Sequence, residues 1–209
     1  MTETGGPRWL QWAREIQALS QTGLAYCQNE YEKIRIQRLL EIAAEIVESH
    51  TKLRNDELME SFEIQHGYAT PKVDVRAAVV QKGKVLLVQE RIDDRWCMPG
   101  GWADVGELPS KMVAREALEE SGFEVQPRKV IGVYDANRGG TPVDFFHAYK
   151  VVFLCTINGG EARISHETQA VDFFGFDELP PLSPNRTNER HLADVQAHVQ
   201  DPSLPTVFD

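Results

Sequence analysis

Residues 100–123 read GGWADVGELPSKMVAREALEESGF. The paired glycines Gly100 and Gly101 allow a tight turn, Pro109 suits the first turn of a helix, and Gly122 stops one. The spacing therefore predicts a helix from Pro109 to Ser121. On that helix Glu116, Glu119 and Glu120 stand at i, i+3 and i+4, which puts all three carboxylates on one face. Like charges so placed destabilise a helix unless a cation joins them. Val113, Ala114, Ala117 and Leu118 form the adjoining face, expected against a sheet, so the acids stand at the edge of a core. Clustered hard oxygen ligands suit Mg²⁺, with Mn²⁺ as a substitute. Arg115 is placed to orient a carboxylate, and Glu107, just before the helix, to pair with Arg115. The Gly100-Gly101 turn leaves a backbone carbonyl to point at the same place.

Outward from this segment the texture changes twice. Val73–Val80 and Val85–Glu90 are β-rich runs joined at Lys82-Gly83, which reads as a hairpin. Lys129–Tyr134, Phe145–Thr156 and Val171–Phe176 read as further strands. Glu178-Leu179-Pro180-Pro181 closes the last of them, Asn188–His198 reads as a final helix, and the chain end reads as frayed. Hairpins early in a mixed set of strands and helices favour an α+β sandwich. Upstream, Trp9, Trp12, Ala13, Ile16 and Leu19 fall at helical spacing, with Gly23 as an interruption. Asn29 and Glu32 then give a capping-box-like start to a helix from Tyr31 to about His50, and a weaker one covers Asp56–Gln65. A helical region 1–66 of this size is marginal alone. It is expected to act as a lid or a dimerisation element for a larger domain, 67–209.

Composition narrows the partners. Apolar residues at 42% suffice for a core, and no run of eighteen apolar residues suggests a membrane span. The start, Met1–Gly6, lacks a basic region followed by an apolar run, and Cys27, Cys97 and Cys155 are odd in number and widely spaced. Both features point to a reducing cytoplasm. The net charge of −10 disfavours nucleic acid and anionic membranes as partners. If the substrate is an anion, local cations must bring it to this surface.

Gly101, Glu107, Arg115-Glu116-Ala117, Glu119-Glu120, Gly122 and Phe123 match every position of the Nudix box. That box reads Gly, five residues, Glu, seven residues, Arg-Glu-apolar, one residue, Glu-Glu, one residue, Gly-apolar. A chance match has a probability on the order of one in a billion per starting position. The resemblance implies a Nudix fold, a mixed sheet flanked by helices, and hydrolysis by water attack at phosphorus with divalent metal. Carried over by position, it implies metal ligands at the Gly100 carbonyl, Glu116, Glu119 and Glu120, with Glu119, Glu120 and Arg115 in the catalytic set. It further implies one acid on a loop before a late strand. Glu167, six residues before Phe173, is the first choice, ahead of Asp172, Glu161 and Glu178.

A helical region before a Nudix domain also resembles a bacterial subgroup described as ADP-ribose or CDP-choline pyrophosphatases, often dimeric, and similar in Val133-Tyr134-Asp135 and His147-Ala148-Tyr149-Lys150. The expected substrate is thus a nucleoside diphosphate derivative. Arg91 and Arg138 are candidates for its diphosphate or ribose, and Trp96 and Tyr134 for stacking on its base. Two other readings are a pyrophosphatase of oxidised nucleoside triphosphates and a non-catalytic nucleotide sensor. The helical region weighs against the first, and the intact set of box acids against the second.

Overall fold

The structure, a computed structural model, describes residues 7–63, 67–136 and 146–208. These divide into two compact units, one drawn from Met1–Pro71 and Pro142–His147, the other from Lys72–Thr141 and Ala148–Asp209.

The first unit holds α1 (Arg8–Tyr26), α2 (Glu30–His50) and α3 (Asn55–Glu63). Leu10, Ala13, Leu40, Ala44, Val47, Leu58 and Phe62 form its core, and Phe146 packs against it. Asn29 caps α2 by accepting from the amides of Tyr31 (2.9 Å) and Glu32 (3.4 Å). That cap contributes about 1 kcal/mol. The side chain of Glu32 pairs with Arg35 at 2.6 Å. Gly23 does not interrupt α1 as expected. A Cβ there would lie 3.2 Å from Ile36 Cδ1, so the glycine serves the close approach of α1 to α2. The helix ends three residues later, where the Cys27 amide donates to the Gly23 carbonyl (2.8 Å).

The second unit is built on β1 (Lys72–Gln81), β2 (Lys84–Glu90), β3 (Trp96–Cys97), α4 (Pro109–Ser121), β4 (Phe123–Asp135), β5 (Ala148–Gly160), β6 (Thr168–Gly175), α5 (Glu189–Gln200) and β7 (Val207–Phe208). The strand order is β3-β2-β1-β5-β4-β7, with β6 paired to β2. Strands β1 and β5 run parallel from Lys72↔Ala148 to Val79↔Cys155, and β4 lies antiparallel to β5. Six consecutive residues of β1, Asp74 to Val79, are buried, as a strand covered on both faces requires. Val75, Ala77 and Val79 face Met112, Val113 and Ala117 of α4 in one core. Ala78 joins Ile131, Tyr134, Leu192 and Val195 in the other, which α5 covers. The result is a mixed sheet sandwiched between helices.

Two expectations change here. Leu118 is 37% exposed, while Val113, Ala117 and the partly buried Ala114 pack on the sheet as expected, joined by Met112. The chain end is paired rather than frayed: β7 adds to β4 in parallel, and Lys129 Nζ donates to the Pro202 carbonyl (3.0 Å). Among the described residues no helix is long and apolar enough to cross a membrane. Cys27, Cys97 and Cys155 are free thiols, the last two buried.

Helix α5 starts on a capping box. Asn188 Oδ1 accepts from the His191 amide (3.0 Å), and His191 Nδ1 accepts from the Asn188 amide (3.2 Å). Burial, reinforced by Lys150, holds the His191 imidazole down to about 3. Asp74, which favours the charged ring, is outweighed, and Arg190 and Arg76 act with Lys150. The folded protein thus binds the neutral ring, while the unfolded chain protonates near 6.5. The resulting stability is full above about pH 6.5 and is lost as pH falls toward about 3, at about 1.4 kcal/mol per pH unit. Urea unfolding at pH 7 and pH 5.5 is expected to show this loss in the wild type and a shallower one in His191→Gln. Equal acid sensitivity in the two proteins refutes the assignment.

Candidate active site

Local sequence sets the box helix. Pro109 occupies its first turn, and Gly122, at φ 79°, ends it with its amide donating to the Leu118 carbonyl (2.9 Å). The turn before it is shaped by Gly100, whose φ of 143° is closed to most L-residues and where a Cβ would overlap the Val75 carbonyl oxygen. On either side, the Pro99 carbonyl accepts from Ala77 N–H (2.8 Å) and the Gly101 carbonyl from Val75 N–H (2.9 Å). The Gly100 carbonyl, between them, accepts no backbone bond among the described residues.

Arg115 gathers the acids. Its Nη1 lies 2.9 Å from both Glu116 Oε1 and Glu119 Oε2. Nη2 lies 2.9 Å from Glu107 Oε2 and 3.0 Å from Asp104 Oδ2, and Nε donates to Glu107 Oε1 at 3.2 Å. The hydrogen bonds from Arg115 hold the Glu107 carboxyl below its usual range. Glu120 is separate: it is 5% exposed, and its Oε2 accepts from Gly100 N–H at 2.9 Å. Burial pushes its carboxyl up to about 8 against the opposing pull of Arg76 and the Gly100 amide, with Glu90 and Glu116 adding to the rise. Glu116 is likewise raised, first by burial and partly offset by Arg115. A buried acid in that state is one whose charge wants a cation.

The loop 161–167 comes against the end of the same helix. Arg163 N–H donates to the Ser121 carbonyl (2.9 Å), and Thr168 Oγ1 donates to the Glu120 carbonyl (2.9 Å). Gly122 makes this possible, because a Cβ there would overlap the Glu161 carbonyl oxygen. A cleft of about 660 Å³ results, lined by Glu116, Glu119, Glu120 and Glu167 together with Glu90, Gly100, Gly101 and Trp102. Arg76, Arg115, Arg163, Arg186, Ile164, Ser165 and His166 complete it.

The structure thus brings Glu167 to the box glutamates. Asp172 lies within β6, opposite Leu87, and Glu178 sits in the turn after it, its amide donating to the Gly175 carbonyl (3.1 Å). Neither they nor Glu161 line the cleft. Three residues expected to contact substrate do not line this cleft. Tyr134 is 2% exposed in the core under α5, its hydroxyl donating to Asp194 (3.0 Å). Trp96 packs edge-on against Phe174 at 4.7 Å, because β3 turns it toward the same core. Arg91 donates its backbone N–H to the Glu167 carbonyl (3.0 Å), and its side chain does not line the cleft. Arg138 lies outside the described residues.

Several cleft residues were not foreseen. Arg76 is 5% exposed and ion-pairs with Asp74 at 3.0 Å, and buried Lys150 pairs with the same Asp74. Burial pushes the Asp74 carboxyl up, but Arg76 and Lys150 together bring it below its usual range. Arg186, ahead of α5, lies 3.4 Å from Glu90 Oε1 and 3.1 Å from Asp93 Oδ2. Charged residues inside a strand such as β1 read as its solvent face, so only the fold reveals them.

Residues 70–195 match the NUDIX domain. The chain belongs to the Nudix hydrolase family. Residues 7–62 match a second family described as a UDP-X-like, N-terminal oligomerisation domain. The Bacillus subtilis (strain 168) protein named "Putative ADP-ribose pyrophosphatase YjhB" is 33% identical over 97% of this chain and 97% of its own length. Among solved structures, an ADP-ribose pyrophosphatase from Streptococcus suis 89-1591 is 38% identical over 67% of this chain and all of its own, with a TM-score of 0.62. A UDP-X diphosphatase covers 99% of this chain and all of its own at 27% identity, with a TM-score of 0.63. The box acids therefore belong to a pyrophosphohydrolase.

Proposed function

We infer that this Nudix hydrolase uses Mg²⁺, or Mn²⁺ in its place, to split the diphosphate of a nucleoside diphosphate derivative such as ADP-ribose or CDP-choline. The observation that carries the reading is the convergence of four glutamates, Glu116, Glu119, Glu120 and Glu167, on one cleft. Full-length likeness to the Bacillus subtilis protein named "Putative ADP-ribose pyrophosphatase YjhB" and to a UDP-X diphosphatase supports a diphosphate joined to a second group.

The donor set fits a hard divalent ion. Glu116, Glu119, Glu120 and the Gly100 carbonyl offer only oxygen, and Nη1 of Arg115 already stands as a cation between Glu116 and Glu119. Among the described residues no three acids converge on a single point as they stand. Glu116, Glu119, Glu120 and the Gly100 carbonyl would hold the ion, with Arg115 kept beside them by Glu107 and Asp104. When bound, the metal draws charge from the diphosphate and makes the attacking water more acidic. Glu167 accepts the proton of that water as its oxygen bonds to one phosphorus and the bridging P–O bond breaks. Arg115 keeps Glu116 and Glu119 oriented. A panel of nucleotide derivatives with Mg²⁺ and with Mn²⁺, products separated by chromatography, tests the reading. Cleavage of ADP-ribose or CDP-choline to two monophosphates supports it, and turnover confined to nucleoside triphosphates refutes it.

The helical unit we read as a homodimer contact, and the three free thiols of the chain as fitting a cytoplasmic protein. Trp12, Leu19 and Tyr26 are 52%, 69% and 70% exposed at seven-residue intervals along α1. Such an apolar stripe is costly in water and suits a second copy. Leu19→Glu is expected to shift sedimentation from dimer to monomer at micromolar concentration. A wild type that sediments as a monomer, or a variant that remains dimeric, counts against this.

A further inference from the structure

We propose that Trp102 is the surface on which the substrate's base stacks, an assignment that rests on the diphosphate reading above. Among the described residues lining the cleft, Trp102 is the one large aromatic side chain, and it is 51% exposed. Leaving an indole half in water forgoes much of the stabilisation its burial would bring, and an aromatic face held open beside a charged site is what a flat ligand uses.

Its position suits that use. Gly101, the preceding residue, comes so near the carboxylate face that a Cβ on it would lie 3.2 Å from Glu116 Oε2. The ring's attachment point is one peptide, about 3.8 Å between Cα atoms, from the glycine that approaches Glu116. The backbone there is fixed. The Gly101 carbonyl accepts from Val75 N–H (2.9 Å), Ala103 N–H donates to the Val73 carbonyl (2.8 Å), and Trp102 bridges Asp74 in antiparallel fashion. A platform already ordered costs little entropy when a ligand arrives. From a different loop, Ile164, 53% exposed, adds a second apolar surface to a cleft otherwise rich in arginine and glutamate. A nucleoside diphosphate has the matching layout, a charged end for the carboxylate site and a planar ring for the tryptophan. Trp96 and Tyr134, packed in the core, do not compete for the role.

The test uses the full chain with Mg²⁺ and two uncleavable ligands: α,β-methylene-ADP, which has a base, and methylenediphosphonate, which has none. Binding is followed by calorimetry and by tryptophan emission. For α,β-methylene-ADP, Trp102→Ala is expected to raise Kd about tenfold and Trp102→Phe by less than about threefold, as loss or retention of one base–ring stack requires. Methylenediphosphonate should bind all three proteins alike, and the emission change on adding α,β-methylene-ADP should vanish in Trp102→Phe. Equal weakening of both ligands would mean that Trp102 only shapes the cleft, and unchanged binding of both that it touches neither; each result overturns the proposal. If the wild type binds methylenediphosphonate but gains nothing from the base, stacking alone fails. A wild type that binds neither ligand overturns the diphosphate reading and the proposal with it.

Discussion

Glu120→Gln is expected to lower kcat by about two orders of magnitude or more, with the fold intact, because losing one carboxylate ligand removes several kcal/mol of transition-state charge stabilisation. The substitution keeps the volume of a side chain that is 5% exposed. Its amide oxygen still accepts from Gly100 N–H, the bond that ties the turn to the helix at 2.9 Å. The neutral side chain also escapes the burial that pushes the carboxyl up to about 8, so melting without metal should be unchanged or slightly higher. The measurements that check it are turnover at saturating Mg²⁺ and thermal unfolding with and without the ion. Mg²⁺ should raise the midpoint of the wild type much more than that of the variant. Near-wild-type turnover by Glu120→Gln contradicts the proposed ligand role. Glu116→Gln should be milder, since Glu119 and Glu120 remain and Glu116 is the less buried of the two acids compared, with 15% of its side chain exposed.

The contrast between Glu120 and the aromatic residues shows which features of the chain are legible in sequence. The box helix carries its own punctuation: Pro109 and Gly122 are local signals, and the observed ends fall at Pro109 and Ser121. Its glutamates are neighbours by helical spacing alone, so their common face needs no knowledge of the rest of the fold. Asn29 and Asn188 cap their helices for the same local reason. What was misread depends on distant partners. Gly23 resembles a break until Ile36 is seen beside it. Val207 and Phe208 are too few to read as a strand, and they become one only by pairing with Gly132 and Val133. An aromatic side chain gives no hint of which way its strand turns it, so nothing local signals that Trp96 and Tyr134 pack into the core. Arg76 and Lys150 are charges within strands, buried because Asp74 lies between them, and no local pattern announces such a triad.

Glu167→Gln is expected to reduce kcat and kcat/KM together by about two to four orders of magnitude, the range of a lost general base, with KM little changed. The equal loss follows if the carboxylate acts on the attacking water and makes no contact that binds the ground state. The loop that carries it is anchored at both sides. Arg163 N–H is held by the Ser121 carbonyl, and the Glu167 carbonyl accepts from Arg91 N–H at 3.0 Å. Its side chain, 58% exposed, pairs with His166 Nε2 at 3.1 Å, a partner itself 88% exposed, and among the described residues no other ion pair holds it back from substrate. Exposure also means that Gln costs the fold nothing measurable. Glu161 is the control. It belongs to the same loop, but its carbonyl faces Gly122 and it does not line the cleft, so Glu161→Gln should behave as wild type. A crippled Glu161→Gln beside a normal Glu167→Gln would mean that the wrong loop acid has been assigned. If both variants turn over normally, the water is activated within the box itself. Glu119, on the same cleft with 57% of its side chain exposed, is then the residue whose substitution should abolish turnover.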